Sequence, residues 1–189
     1  MVERFARALL AALMFAAPLA QALQTGEPLP TLAVEKMGEI RIEDGETRFS
    51  PWQSAGLADR IHIVQYLAAR MSACKMSKPF TDRLEKSGIP YARYHITTVV
   101  NLDDALFGTR GMVLSELEKN KRKYALSTIV ADESGRGREL WALAESSSAV
   151  IILDPAGRVL YFHEGAMRED DIERAIAVVR GDGDVAATR

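Results

Sequence analysis

The residues able to carry chemistry are few, and Cys74 comes first because it is the only cysteine in the chain. Its surroundings predict a place near the start of a helix, with cationic Lys75 beside it. There the exposed N–H groups and the helix dipole favour thiolate. Such a thiol could form a sulfenic acid or a mixed disulfide with a partner. The simpler reading is a small side chain packed under a sheet. Asp103 and Asp104 follow Asn101 and could take a cation or a sugar, or work as acid and base. Adjacent residues in a regular element point apart, so capping or a solvated loop is the plainer role. Ser146, Ser147 and Ser148 could present a loop to an extended peptide, or satisfy their own backbone. His62, His95 and His163 are predicted on three different strands without i,i+3 or i,i+4 pairing, which gives no metal motif. No cofactor is implied: Gly135-Arg136-Gly137 is one short turn, not a phosphate loop.

Composition narrows the classes. The 189 residues are 48% hydrophobic and 26% charged, which is ordinary for a globular chain. The 24 Lys and Arg against 26 Asp and Glu give a net charge of −2, which argues against nucleic-acid binding through clustered cations. The basic run Lys119, Lys121, Arg122 and Lys123 adjoins Glu116 and Glu118 and reads as a solvated helix face.

Residues 1–22 read as an export signal. Arg4 and Arg7 precede an apolar run from Ala8 to Ala20, and Ala20-Gln21-Ala22 offers a small-x-small cleavage site after Ala22. That run is about 13 residues, against the roughly 20 needed to span a bilayer. The expectation is a periplasmic protein, one domain over residues 23–189, with no stable membrane insertion after cleavage. In an oxidising compartment a lone thiol without a partner in its own chain should be buried or used.

The elements that must position these residues follow from hydrophobic period and turn signals. Thr31 to Ile42 reads as a hairpin turning at Met37-Gly38, with a second turn at Asp44-Gly45. Ile61 to Ala68 is nearly continuous apolar sequence, as in a buried central strand. A helix is predicted over Ser72 to Ser87, kinked at Pro79 and ended by Gly88. Tyr94 to Asn101 is a strand, and Gly111 to Tyr124 a helix with Met112, Leu114 and Leu117 inward. A strand at Ser127 to Ala131 and a short helix at Gly137 to Ala144 follow. Ala149 to Leu153 and Arg158 to Phe162 form a hairpin, a closing helix runs from Arg168 to Arg180, and the tail from Gly181 frays. Alternating strands and helices imply a mixed sheet flanked by helices.

That order resembles the thioredoxin fold with an N-terminal β-hairpin extension. Val64 to Met76 is similar to the strand-to-helix turn that carries C-x-x-C in thioredoxins, but the four positions read Met71-Ser72-Ala73-Cys74. The attacking position is a thioether, and only the resolving position is a cysteine. The family's cis-proline is also missing, since its place falls at Ser148 or Ala149. Intramolecular dithiol exchange is therefore unavailable.

A narrower resemblance, to the YtfJ family of exported bacterial proteins, rests on three stretches. These are Thr97 to Ala105, Leu117-Glu118-Lys119-Asn120-Lys121, and Glu145 to Ala149 running into Leu153 to Val159, with Trp141 and the signal. The resemblance implies a periplasmic, non-redox thioredoxin-like fold and supplies no catalytic residues. The expected surface combines Met71, Ser72, Asp103, Asp104, Ser146, Ser147 and Ser148, facing an extended peptide or envelope protein. The alternative is a monothiol oxidoreductase using Cys74.

Overall fold

The computed structural model describes residues 22–55, 57 and 60–182. The export signal, save Ala22, and the tail beyond residue 182 lie outside the described residues.

One seven-stranded sheet runs through the molecule. In chain order the elements are β1 (Ala33–Glu43), β2 (Glu46–Gln53), β3 (Ile61–Ala68), α1 (Met71–Lys86), β4 (Tyr94–Asn101), α2 (Arg110–Lys123), β5 (Thr128–Asp132), α3 (Arg136–Leu140), β6 (Ser148–Leu153), β7 (Val159–Glu164) and α4 (Glu169–Arg180). The sheet order is β2-β1-β5-β4-β3-β6-β7. Strands β3, β4 and β5 pair in parallel, and the other neighbours pair antiparallel. The continuous apolar run of β3 is explained by its central place, which buries nearly all of it.

The parallel section fixes where the helices go. Right-handed crossovers from β3 to β4 and from β4 to β5 advance in one direction, so α1 and α2 share a face. Phe80 and Leu84 of α1 pack with Ile63 and with Ile172 and Ile176 of α4. Leu117 of α2 packs on Val100, Ile129 and Ala131. The opposite face carries Trp141, Leu143 and Leu32 over Val64, Tyr66 and Val99. Helix α1 continues on both sides of Pro79, an exposed residue.

Two expectations need correction. Met37-Gly38 is not a hairpin turn. Strand β1 runs through it, and the register against β2 shifts between Val34 and Glu39, as at a β-bulge. Both residues have positive φ, and a Cβ at Gly38 would overlap the Ser50 carbonyl oxygen. The hairpin turns instead at Asp44-Gly45, where both φ values are positive, as a two-residue turn requires. Met112 is not inward but 74% exposed; Val113, Leu114 and Leu117 supply the packed face of α2.

Candidate functional site

The chain ends of β3, β4 and β5 and the start of β6 meet at one edge of the sheet, where open α/β folds place ligands. Two backbone hydrogen bonds knit that end together. Ala69 N donates to Asn101 O at 3.0 Å, joining the exits of β3 and β4. Ala68 N donates to Ser147 O at 3.0 Å, fastening the loop before β6 to the end of β3. The residues expected to form a surface, from Met71-Ser72, from Asp103-Asp104 and from Ser146 to Ser148, therefore reach the same end of the molecule on three segments.

Their individual settings differ. Asn101 is fully buried; its amide donates to Asp104 Oδ2 at 2.9 Å, and its oxygen accepts from Asp103 N at 2.9 Å. The acidic pair is thereby ordered as a loop around Asn101, with Asp103 exposed and Asp104 half-buried. Ser148 is buried within β6, and its hydroxyl faces Gly165 O at 3.4 Å, so it presents nothing to solvent. Ser146 and Ser147 are half-exposed, and Ser146 holds a positive φ of 55°. Around them Glu145 pairs with Arg138 at 3.0 Å, and Ala144 N donates to Glu164 Oε1 at 2.6 Å. Among the described residues no peptide bond is cis.

Cys74 departs from both parts of its sequence reading. It is exposed, while its neighbour Ala73 is the residue buried under α1. Its thiol is pushed up, not down. Local desolvation is the main cause, a helix backbone N–H partly opposes it, and the Glu116 carboxylate on α2 adds to it. The exposed thiol is thus not activated by its position.

The structure adds residues that sequence reasoning missed. Leu106 and Phe107, in the loop after β4, are 56% and fully exposed, and Met112 opens α2. With Met71, 74% exposed at the start of α1, they are four of the eight large hydrophobics exposed among the described residues. All four sit at this end of the sheet. Leu106-Phe107 between Asp104 and Gly108 was the available signal: two large apolar residues inside a loop.

Beneath α3 lies a buried polar group. Asp132, fully buried at the end of β5, accepts from Tyr66 Oη at 3.0 Å, from Gly137 N at 2.8 Å and from Arg136 N at 3.2 Å. Tyr66 Oη in turn accepts from Arg138 N at 2.9 Å. Burial, then the Asp132 charge, push the tyrosine hydroxyl far up. This group anchors α3 and is not open to a ligand.

Two of the three histidines are neighbours after all, at the other end of the sheet. His62 and His95 stand opposite each other across β3 and β4, their rings 4.9 Å apart. Each ring has its own hydroxyl partner, Thr97 at 2.8 Å and Thr128 at 2.9 Å. Among the described residues no cluster of three or more His, Cys, Asp or Glu is placed to hold a metal, and no helix is long and apolar enough to cross a membrane.

Comparison with known proteins agrees with this architecture. Residues 23–182 match YtfJ_HI0045, described as a bacterial protein of unknown function. The chain is 31% identical over 161 residues to the uncharacterized protein YtfJ of Escherichia coli K12, covering 85% of this chain and 88% of that one. It is 34% identical over 159 residues to an uncharacterized protein of Haemophilus influenzae, covering 84% and 86%. Among solved structures, the thioredoxin domain of a thiol-disulfide oxidoreductase from Bacteroides vulgatus superposes with a TM-score of 0.55 at 16% identity, over 83% of this chain and 98% of that one. At that identity the likeness speaks for the fold alone. With a family match across nearly all the described residues and two relatives above 30% identity, the chain belongs to the YtfJ family and has a thioredoxin-like fold.

Proposed function

We propose that this protein is a periplasmic binding protein on a thioredoxin-like fold, without dithiol exchange, that docks an extended peptide or a segment of an envelope protein. The observation that carries the reading is the gathering of Met71, Leu106, Phe107 and Met112, all exposed, around the end of the sheet. Large exposed apolar side chains gathered at one end of a domain favour a protein or peptide contact. Beside them the half-exposed Ser146-Ser147 turn borders strand β6 and offers main chain to an extended partner. Met71 stands where a nucleophilic thiol would be needed, and one thiol cannot close an intramolecular disulfide. The apolar run and the small-x-small site before Leu23 support export.

A second reading, a single-thiol oxidoreductase using Cys74, is favoured by the exposure of that residue and opposed by the upward shift of its thiol.

The test is direct. Peptides selected by display on the purified protein are titrated against wild type, Phe107→Ser and Leu106→Ser, with insulin disulfide reduction run in parallel. The expected result is a loss of about tenfold or more in peptide affinity for either variant, as for a central interface residue, and no reduction of insulin. Equal affinity in all three proteins overturns the docking surface, and turnover of insulin that vanishes in Cys74→Ser installs the second reading.

A further inference from the structure

We propose that Arg70 selects what docks at this end of the molecule: its guanidinium takes the carboxylate of an Asp or Glu side chain in an extended, acidic peptide segment. The selection rests on the docking surface proposed above.

Arg70 joins β3 to α1, and its backbone is fixed from both sides. Ala69 N, one residue before it, donates to Asn101 O at the exit of β4, and Ala68 N, two before it, donates to Ser147 O, both at 3.0 Å. Met71, one residue after it, is 74% exposed. Arg70 thus stands between the Ser146-Ser147 turn and the first of the exposed apolar side chains. An extended segment that touches both passes Arg70.

Its side chain lacks the partner that a half-buried cation requires. Arg70 is half-buried, and its Nε is shut off from solvent without a hydrogen bond. Among the described residues the buried side-chain nitrogens in that condition are Arg70 Nε and Arg138 Nε. Arg138 nonetheless has a carboxylate, Glu145 at 3.0 Å. Arg70 has none among the described residues. The carboxylates of the neighbouring loop are already engaged, Glu145 by Arg138 and Glu164 by Ala144 N at 2.6 Å. Buried polar groups in native proteins find partners, so an orphan beside a docking surface calls for one from outside.

The geometry of the group names that partner. A guanidinium keeps its charge and presents its donors as a planar fork, which a carboxylate meets with two parallel N–H···O bonds. Phosphate fits the same fork. An exposed main-chain turn beside apolar side chains receives peptide, however, and the acid a peptide carries is Asp or Glu. The chain's own net charge of −2 does not draw acidic partners. The preference must therefore come from Arg70 itself and disappear with it.

The experiment has two arms. In the first, the Nε–Hε signal of Arg70, assigned by its loss in Arg70→Lys, is followed by ¹H–¹⁵N NMR while N-acetylglutamate α-amide is added to the purified protein. N-acetylglutamine α-amide, inorganic phosphate and sodium chloride are compared at equal ionic strength. The expected result is a saturable shift with the glutamate compound that the other arginine signals do not share. In the second arm, two pools of capped peptides, random in Ala, Ser, Leu and Val around a central Glu or a central Gln, are titrated against wild type, Arg70→Gln, Arg70→Lys and Phe107→Ser. Wild type should bind the Glu pool at least about tenfold more tightly, as for a charge-assisted pair. Arg70→Gln should bring that ratio to about one while keeping its affinity for the Gln pool, and Arg70→Lys should fall between, having the charge without the fork. Phe107→Ser should weaken both pools and leave the ratio unchanged, which separates selection from docking. A ratio that survives in Arg70→Gln overturns the proposal, as does an Nε signal that ignores the carboxylate or responds more strongly to phosphate. If neither pool binds wild type, the docking surface fails and the selection of a peptide fails with it, whereas equal binding of both pools removes the selection and leaves the docking surface standing.

Discussion

Two influences oppose each other at Cys74, and their balance is measurable. Its place in the first turn of α1 (Met71–Lys86) should favour thiolate. Partial desolvation and the Glu116 carboxylate favour thiol, and they win. Because only the thiolate is nucleophilic, the sign of the prediction is fixed. Native Cys74 should be alkylated without denaturant, since it is exposed. The rate should be slow at pH 7 and should reach half of its plateau only above ~8.5, the midpoint of an ordinary free thiol. Iodoacetamide rate constants against pH, read by intact mass in native and urea-unfolded protein, check this. A native rate that levels off well below pH 8.5 would restore the activated-thiol reading. Alkylation only after unfolding would return Cys74 to the core. Met71 needs no such test, because a thioether has no proton to lose.

At the scale of elements, α3 (Arg136–Leu140) has five residues and too few contacts of its own to hold its place. What holds it is the Tyr66–Asp132 group together with Trp141, whose Nε1 donates to Pro30 O at 2.9 Å and whose ring meets Tyr66 edge-on at 5.7 Å. Tyr66→Phe should take one donor from buried Asp132 and leave the Arg138 N–H without its acceptor. The expected cost is about 2 kcal/mol, seen as a lower urea midpoint with unchanged slope and as faster amide exchange in α3. An unshifted midpoint would mean that α3 is held by apolar packing alone. These parts of the molecule also show what a sequence discloses. Strands β3, β4 and β6 and helices α1 and α4 were legible because burial imposes a period that survives in the residue types. The bulge at Met37-Gly38 was not, since a Gly-containing dipeptide looks the same in a turn and in a bulge until the register of both partner strands is known. Met112 was misplaced because an apolar residue one position off the buried stripe carries no sign of its exposure. The three segments of the candidate site could be brought together from topology. Which of their side chains face solvent could not, as Ser148 and Cys74 illustrate in opposite senses. Tyr66 with Asp132, 66 residues apart, left no local trace at all.

For the whole molecule the consequence of burying His62 is a dependence of stability on acid. His62 is 4% exposed, and its pKa falls from 6.5 to about 4, through desolvation first, then the neighbouring His95 and Arg60. His95 shifts the same way, again mainly by desolvation. Between pH 6.5 and 4 the unfolded chain binds a proton at His62 that the folded chain refuses, so stability must fall as pH falls through that window. Above 6.5 both states are neutral and below about 4 both are protonated, so this contribution is flat outside it. A shift of that size corresponds to about 3 kcal/mol at most, a large share of the 5–15 kcal/mol typical of a domain. Carboxylates whose pKa is lowered act in a different window. Asp171, held down chiefly by the Arg168 backbone N–H, and Glu118, held down by Arg122, lose their contribution only as pH drops below the ordinary carboxylate range. The two causes can therefore be separated by pH alone. His62→Gln keeps a polar group for the Thr97 hydroxyl and removes the titration. Urea unfolding at half-unit steps from pH 7.5 to 3.5 should show a slope between 6.5 and 4 in wild type that flattens in the variant, while the loss below 4 persists in both. A variant that retains the full slope would move the proton uptake to His95, its neighbour across β3 and β4, and His95→Gln would then have to remove it.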